Sequence, residues 1–152
     1  MLPQFYEFVV VNNSGQTVTF NNNGRLNLKI TAWHWDTSAG KPVLANLGDD
    51  DFAFIAGDSV ADGGEEKTTE IDNTTNKYVG LQVQLEVTHD EGTAADGTFD
   101  LYIDGGDATG ELAGDASGYD DVETNKLKFI GSLTWHSSGV DDEVMRSPVF
   151  NV

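Results

Sequence analysis

The stretch Tyr78-Val79-Gly80-Leu81-Gln82-Val83-Gln84-Leu85-Glu86-Val87-Thr88-His89 carries Val or Leu at every odd position from 79 to 87 and a polar residue, Gly or Tyr at every even one. Side chains on a strand point alternately to opposite faces, so this period of two reads as a long strand with one face on a core and one in water. The same parity holds in Phe99-Asp100-Leu101-Tyr102-Ile103-Asp104 and in Leu127–Trp135, where only Ile130 and Gly131 break it. Upstream, Leu26, Leu28 and Ile30 alternate with Asn27, Lys29 and Thr31 until Trp33-His34-Trp35, where the large apolar residues take the other parity. A bulge or a crossing between sheets near Ala32 is the expected cause.

Shorter strands are predicted over Phe5–Val11, Thr17–Phe20, Phe52–Ile55, Lys67–Ile71 and Pro148–Val152, giving eight or nine in all. Clusters of Gly, Asn, Asp and Thr separate them, which is turn chemistry. No window shows apolar spacing of three and four with capping residues, so almost no helix is expected. The chain reads as one all-β domain over 1–152, a two-sheet antiparallel sandwich with jelly-roll or Greek-key connections and an acidic, Gly-rich loop at 105–125.

Charge is unevenly distributed. Residues 48–125 hold twenty-one of the twenty-six acids and two of the eight lysines and arginines, more than the whole net charge of −18, while the flanks are close to neutral. No Lys or Arg lies between Lys77 and Lys126. Phosphate binding needs clustered cations, so nucleic acid is excluded as an expected partner. The absence of cysteine removes disulfides, thiolate metal sites and a thiol nucleophile. Met1-Leu2-Pro3-Gln4-Phe5-Tyr6-Glu7 has neither the basic start nor the apolar stretch of a secretory signal, and no apolar run is long enough to span a bilayer, so a soluble protein without membrane contact is expected. Asn12 and Asn73 begin glycosylation sequons, which are discounted without such a signal.

Three sets of residues carry candidate chemistry. Asp104, Asp107, Glu111, Asp115, Asp120 and Asp121 offer carboxylates to a calcium ion, although their irregular spacing between strands does not match the twelve-residue helical loop, and a solvated acidic loop is the simpler reading. No other cofactor is expected. Asp49-Asp50-Asp51 and Glu65-Glu66 are adjacent acids in expected loops, an unfavourable layout for the facing carboxylates of a glycosidase. His34, His89 and His136 stand at strand ends without metal-ligand spacing. No nucleophile or phosphate-loop motif occurs, and an enzyme is not expected. Trp33, Trp35 and Tyr119 are the aromatic residues that a sugar-binding site would use, with core packing as the default for Trp33 and Trp35 and an inward register for Trp135. Tyr78 and Tyr102 fall on the polar parity and are expected to be exposed or covered by a neighbouring subunit.

Across residues 78–152 the order of parts is a long alternating strand, Gly97-Thr98-Phe99-Asp100-Leu101-Tyr102-Ile103-Asp104, an acidic excursion, Lys126–Trp135 and the near-terminal Arg146-Ser147-Pro148-Val149-Phe150-Asn151-Val152. This order resembles the small β-sandwich structural proteins of tailed bacteriophages, especially capsid decoration or cement proteins. The resemblance implies a non-enzymatic virion protein on the capsid surface, a homotrimer that binds the major capsid protein and stabilises the head. Leu2, Phe5, Tyr6, Tyr78, Tyr102, Pro148, Val149 and Phe150 are then the expected interface residues. A tail, baseplate or fibre component is the alternative in the same setting, and a lectin-like carbohydrate-binding module is the alternative outside it.

Overall fold

A computed structural model describes residues 2–19, 25–51, 59–68, 70–89, 96–106, 128–136 and 143–152. Its elements are β1 (Phe5–Asn13), β2 (Val18–Thr19), β3 (Arg25–Asp36), β4 (Lys41–Asp51), β5 (Ser59–Val60), β6 (Glu65–Lys67), β7 (Ile71–Asp72), β8 (Gly80–His89), β9 (Asp96–Gly106), β10 (Lys128–His136), β11 (Glu143–Arg146) and β12 (Phe150–Asn151). The described residues contain no helix. None is therefore long and apolar enough to cross a membrane.

Two five-stranded antiparallel sheets form a sandwich. In the first, β10, β9 and β1 lie side by side, and β6 and β7 share the far edge of β1. In the second, β8 and β3 are central, β4 forms one edge, and β11 and β12 share the other. A two-stranded piece, β2 with β5, stands apart. Between the sheets, Tyr6, Phe8, Val10, Phe99, Leu101 and Leu133 from the first meet Leu26, Leu28, Ile30, Leu81, Val83, Leu85 and Val87 from the second. The period-two residues of each strand thus face one another across the core, as sheet-on-sheet packing requires.

The aromatic parity change at Trp33 has a different cause from the bulge expected near Ala32. β3 pairs with β8 without a break from Arg25↔Thr88 to Trp33↔Gly80, so Ala32 continues the inner face and Trp33 and Trp35 stand on the outer one. The register slip lies in β4, which passes from Asn46 opposite Thr31 to Gly48 opposite Ile30 and leaves Leu47 as the extra residue.

β4 itself was not among the expected strands, and Asp49-Asp50-Asp51 and Glu65-Glu66, expected in loops, belong to β4 and β6. Both are edge strands, where charge and glycine replace the alternation that marks a central strand. The expected strand at Phe52–Ile55 lies outside the described residues. Lys67–Ile71 resolves into β6 and β7 on either side of Thr68.

Two buried asparagines tie the connections down. Asn12 donates its side-chain amide to the carbonyls of Gln16, Val60 and Ala61, and its Oδ1 accepts the Ser14 N–H. At the other end of the sandwich, Asn73 donates to the carbonyls of Pro3 and Tyr78 and accepts the Tyr78 N–H. With 0% and 5% of their surface exposed, neither sequon is open for a glycan.

Candidate binding face

The β3–β4 hairpin turns through Thr37–Gly40. The Asp36 carboxylate accepts the N–H groups of Ser38 and Ala39, and Gly40 takes the left-handed conformation at φ 64°. This turn sets Trp33 opposite Leu44 and Trp35 opposite Pro42. Directly opposed residues share a face, so these four form one apolar group on the outer surface of the second sheet. Exposure is 37% for Trp33, 55% for Trp35 and 72% for Leu44, against the core packing expected of the two tryptophans. A Cβ built on Gly80 would stand 2.4 Å from Trp33 Nε1. The missing side chain at 80 therefore lets the Trp33 indole settle on the β8 backbone, as aromatic rings do over sheet glycines.

Farther along the same face the surface becomes ionic. Glu86 on β8 accepts a hydrogen bond from Arg146 Nε on β11 and lies 3.2 Å from Lys29 on β3. Burial pushes the Glu86 carboxyl up, but the hydrogen bonds from Arg146 and Lys29 and their charges outweigh it and hold the group below its ordinary value.

The remaining expected interface residues are scattered. Tyr6 is fully buried, and Phe5 and Tyr78 are buried too, so Tyr78 does not have the exposure its parity implied. Its ring stands 5.9 Å from that of His34. Tyr102 is half-buried on the outer face of the first sheet, edge-on to Phe129 at 5.4 Å. Pro148 and Val149 are exposed, whereas the Phe150 ring fills the space above Gly131. Leu2 is half-buried and borders a hollow of about 470 Å3 with Pro3, Asn73, Lys77 and Tyr78.

Of the calcium candidates, Asp104 is buried on β9 opposite Glu7, and its Oδ1 accepts the Gly105 N–H at 2.8 Å. Glu7 lies 3.8 Å from Lys67 Nζ. Asp107, Glu111, Asp115, Asp120 and Asp121 lie outside the described residues, as do Tyr119 and the side chains of His89 and Trp135. Among the described residues no group of three His, Cys, Asp or Glu is placed to hold a metal. His34 and His136 do not converge: His34 adjoins Tyr78 at one end, and His136 pairs with Asp96 at the other.

Leu44 and Pro42 are the members of this face that sequence reasoning missed. Their signal was the short apolar run Pro42-Val43-Leu44-Ala45 after Gly40, too brief to separate from a loop. No family model matches the chain, and comparison with curated proteins and with solved structures found no match.

Proposed function

We propose that this chain is a non-enzymatic structural protein of a virion, a decoration protein that attaches to the head of a tailed phage through the outer face of its second sheet. The observation that carries the reading is the grouping of Trp33, Trp35, Leu44 and Pro42 on an open surface of a strongly acidic protein. Exposed apolar groups of this kind mark contacts with other macromolecules, and tryptophan is among the side chains that anchor them. The surrounding negative charge keeps a densely coated particle soluble and repels nucleic acid. Attachment through this face replaces the expected role of Phe5, Tyr6 and Tyr78, which the core already uses.

Quantitative mass spectrometry of purified virions tests the reading. A copy number equal to the major capsid protein, or a simple fraction of it, supports decoration, and a handful of copies per particle moves the protein to the tail. Absence from virions refutes the proposal. In that case the indole of Trp33, which packs over Gly80 and stays 37% exposed, favours a sugar-stacking role, and a glycan array decides it. Trp35→Ser is expected to abolish attachment while leaving the unfolding temperature unchanged.

A further inference from the structure

At the end of the sandwich that Asn73 holds, the segment Leu2–Gln4 lies across the fold as a strap. Asn73 fixes it twice, donating its side-chain amide to the Pro3 carbonyl and its N–H to the Gln4 carbonyl. The Pro3 ring sits over Gly105, where an added Cβ would stand 2.2 Å from Pro3 Cγ. Two hollows adjoin the strap: the one of about 470 Å3 beside Lys77 and Tyr78, and one of about 280 Å3 beside Ile103, Lys128 and Val152. Leu2, Pro3 and Val79 border both, so the two meet as one trough. Tyr78 and Ile103 belong to the core, and Leu2 and Val152 pack against it, so the apolar wall of the trough continues the interior of the sandwich. The larger hollow alone falls within the roughly 300–1,000 Å3 typical of small-molecule sites.

The charges along this trough are opposite to those of the chain as a whole. Lys29 and Arg146 meet Glu86, and Lys67 meets Glu7, whereas Lys77 and Lys128 form no ion pair among the described residues. No Asp or Glu is among the described residues that border either hollow. Asp72, the acid nearest in sequence, is turned onto Thr74, whose N–H and hydroxyl both donate to it. Lys77 is also, among the described residues, the only one other than glycine at positive φ, 50°, set there by its own N–H on the Asn73 carbonyl and the Tyr78 N–H on Asn73 Oδ1. Glycine would take this conformation more easily, so a lysine here keeps a cation at the hollow at some cost to the fold.

We infer that this trough is a binding site for a small amphiphilic carboxylate, a molecule with one anionic head and a short hydrocarbon tail. The head meets the Lys77 ammonium in a charge-assisted hydrogen bond, and the tail covers the apolar wall of Leu2 and Val79. The net charge of −18 opposes any anion at long range, but that field is screened beyond about 8 Å at physiological salt, whereas contact with Lys77 is not. Because Asn73 and Gly105 already fix the strap, binding requires little ordering of the protein. The inference does not depend on what the Trp33–Trp35 face binds.

Isothermal titration calorimetry of the intact chain with sodium octanoate, kept below its micelle concentration, tests it. Saturable one-to-one binding is expected. Octan-1-ol, with the tail but no charge, and acetate, with the charge but no tail, should each bind at least about tenfold more weakly. Lys77→Gln is expected to weaken octanoate binding by about tenfold or more, and Lys77→Arg to retain it. Lys77→Gly separates binding from folding: it removes the cation and relieves the backbone, so octanoate binding should fall as in Lys77→Gln while the unfolding temperature matches or exceeds that of the parent. Trp35→Ser should leave octanoate binding unchanged, which distinguishes the trough from the exposed tryptophan face. No saturable binding, equal binding of octan-1-ol, binding that survives Lys77→Gln, or binding lost in Trp35→Ser overturns the inference.

Discussion

Thr68 and Phe8 bind each other twice: the Thr68 N–H donates to the Phe8 carbonyl at 3.0 Å, and the Phe8 N–H donates to Thr68 Oγ1 at 3.0 Å. The hydroxyl takes the place of the backbone carbonyl that an unbroken strand would present. Ser147 does the same for Leu85 in the other sheet, giving its N–H to the Leu85 carbonyl and accepting the Leu85 N–H on Oγ at 2.9 Å. Each sheet thus has one edge cut in two by a hydroxyl residue, which shortens that edge and leaves the central strand satisfied.

Thr68→Val preserves shape and removes the acceptor, stranding the buried Phe8 N–H. A loss of about 1–3 kcal/mol in urea unfolding is expected, with Thr68→Ser close to the parent, and Ser147→Ala should repeat the result in the second sheet.

Asn12→Ala removes an amide that three carbonyls share and an acceptor that Ser14 uses. The expected cost is about 2–4 kcal/mol by the same measurement. The burial of Asn12 and Asn73 also predicts that folded protein from a glycosylating host carries no sugar on either. Peptide mass mapping of the folded fraction checks this, and a glycan there would contradict their burial.

Gly97 on β9 lies against the backbone at the end of β1, where an added Cβ would stand 2.3 Å from Ser14 Cα and 2.5 Å from the Asn13 carbonyl oxygen. Backbone yields less readily than a side chain. Gly97→Ala is therefore expected to destabilise by about 2–3 kcal/mol, and Gly80→Ala by less, since only the Trp33 indole must move. Displacement of that indole should appear as a shift in tryptophan fluorescence for Gly80→Ala.

The Glu86 carboxyl is held below its ordinary value of 4.5 in the folded protein. A depressed carboxyl adds stability that is fully present above the unfolded value and is lost as pH falls through the folded one. Glu86→Gln should cost about 1 kcal/mol near neutral pH, and the gap between variant and parent should close as the pH is lowered through and below 4.5. A gap that stays constant on acidification would show that the Lys29–Glu86–Arg146 contacts act without their charge.

The sandwich was legible where a strand has a core on one side and water on the other. Leu81, Val83, Leu85 and Val87 and their counterparts Phe99, Leu101 and Ile103 announce themselves by period, and all are buried. β4 was not legible, because an edge strand needs little apolar surface and Asp49, Asp50 and Asp51 look like loop residues. The exposed apolar face was half visible: Trp33 and Trp35 stood out as residue types, but their exposure depends on β3 continuing straight past Ala32, which parity alone did not reveal. Tyr78 went the other way. It follows the polar parity of β8 yet lies just before that strand, where the turn held by Asn73 carries it into the core.

The placement of β1 bears on how the chain assembles as it is made. Its partners are Glu65–Lys67, Ile71–Asp72 and Asp96–Gly106, so β1 stays unpaired until Glu65–Lys67 has been made and lacks its long partner until Asp96–Gly106 follows. At synthesis rates of roughly 5–20 residues per second, that is a delay of several seconds. Throughout it, Phe5-Tyr6-Glu7-Phe8-Val9-Val10-Val11 is a β-prone segment with a single charge and nowhere to dock. Yield on expression should therefore respond to what shields this segment as it emerges, such as chaperone supply or growth temperature, more strongly than the stability of the finished sandwich would indicate.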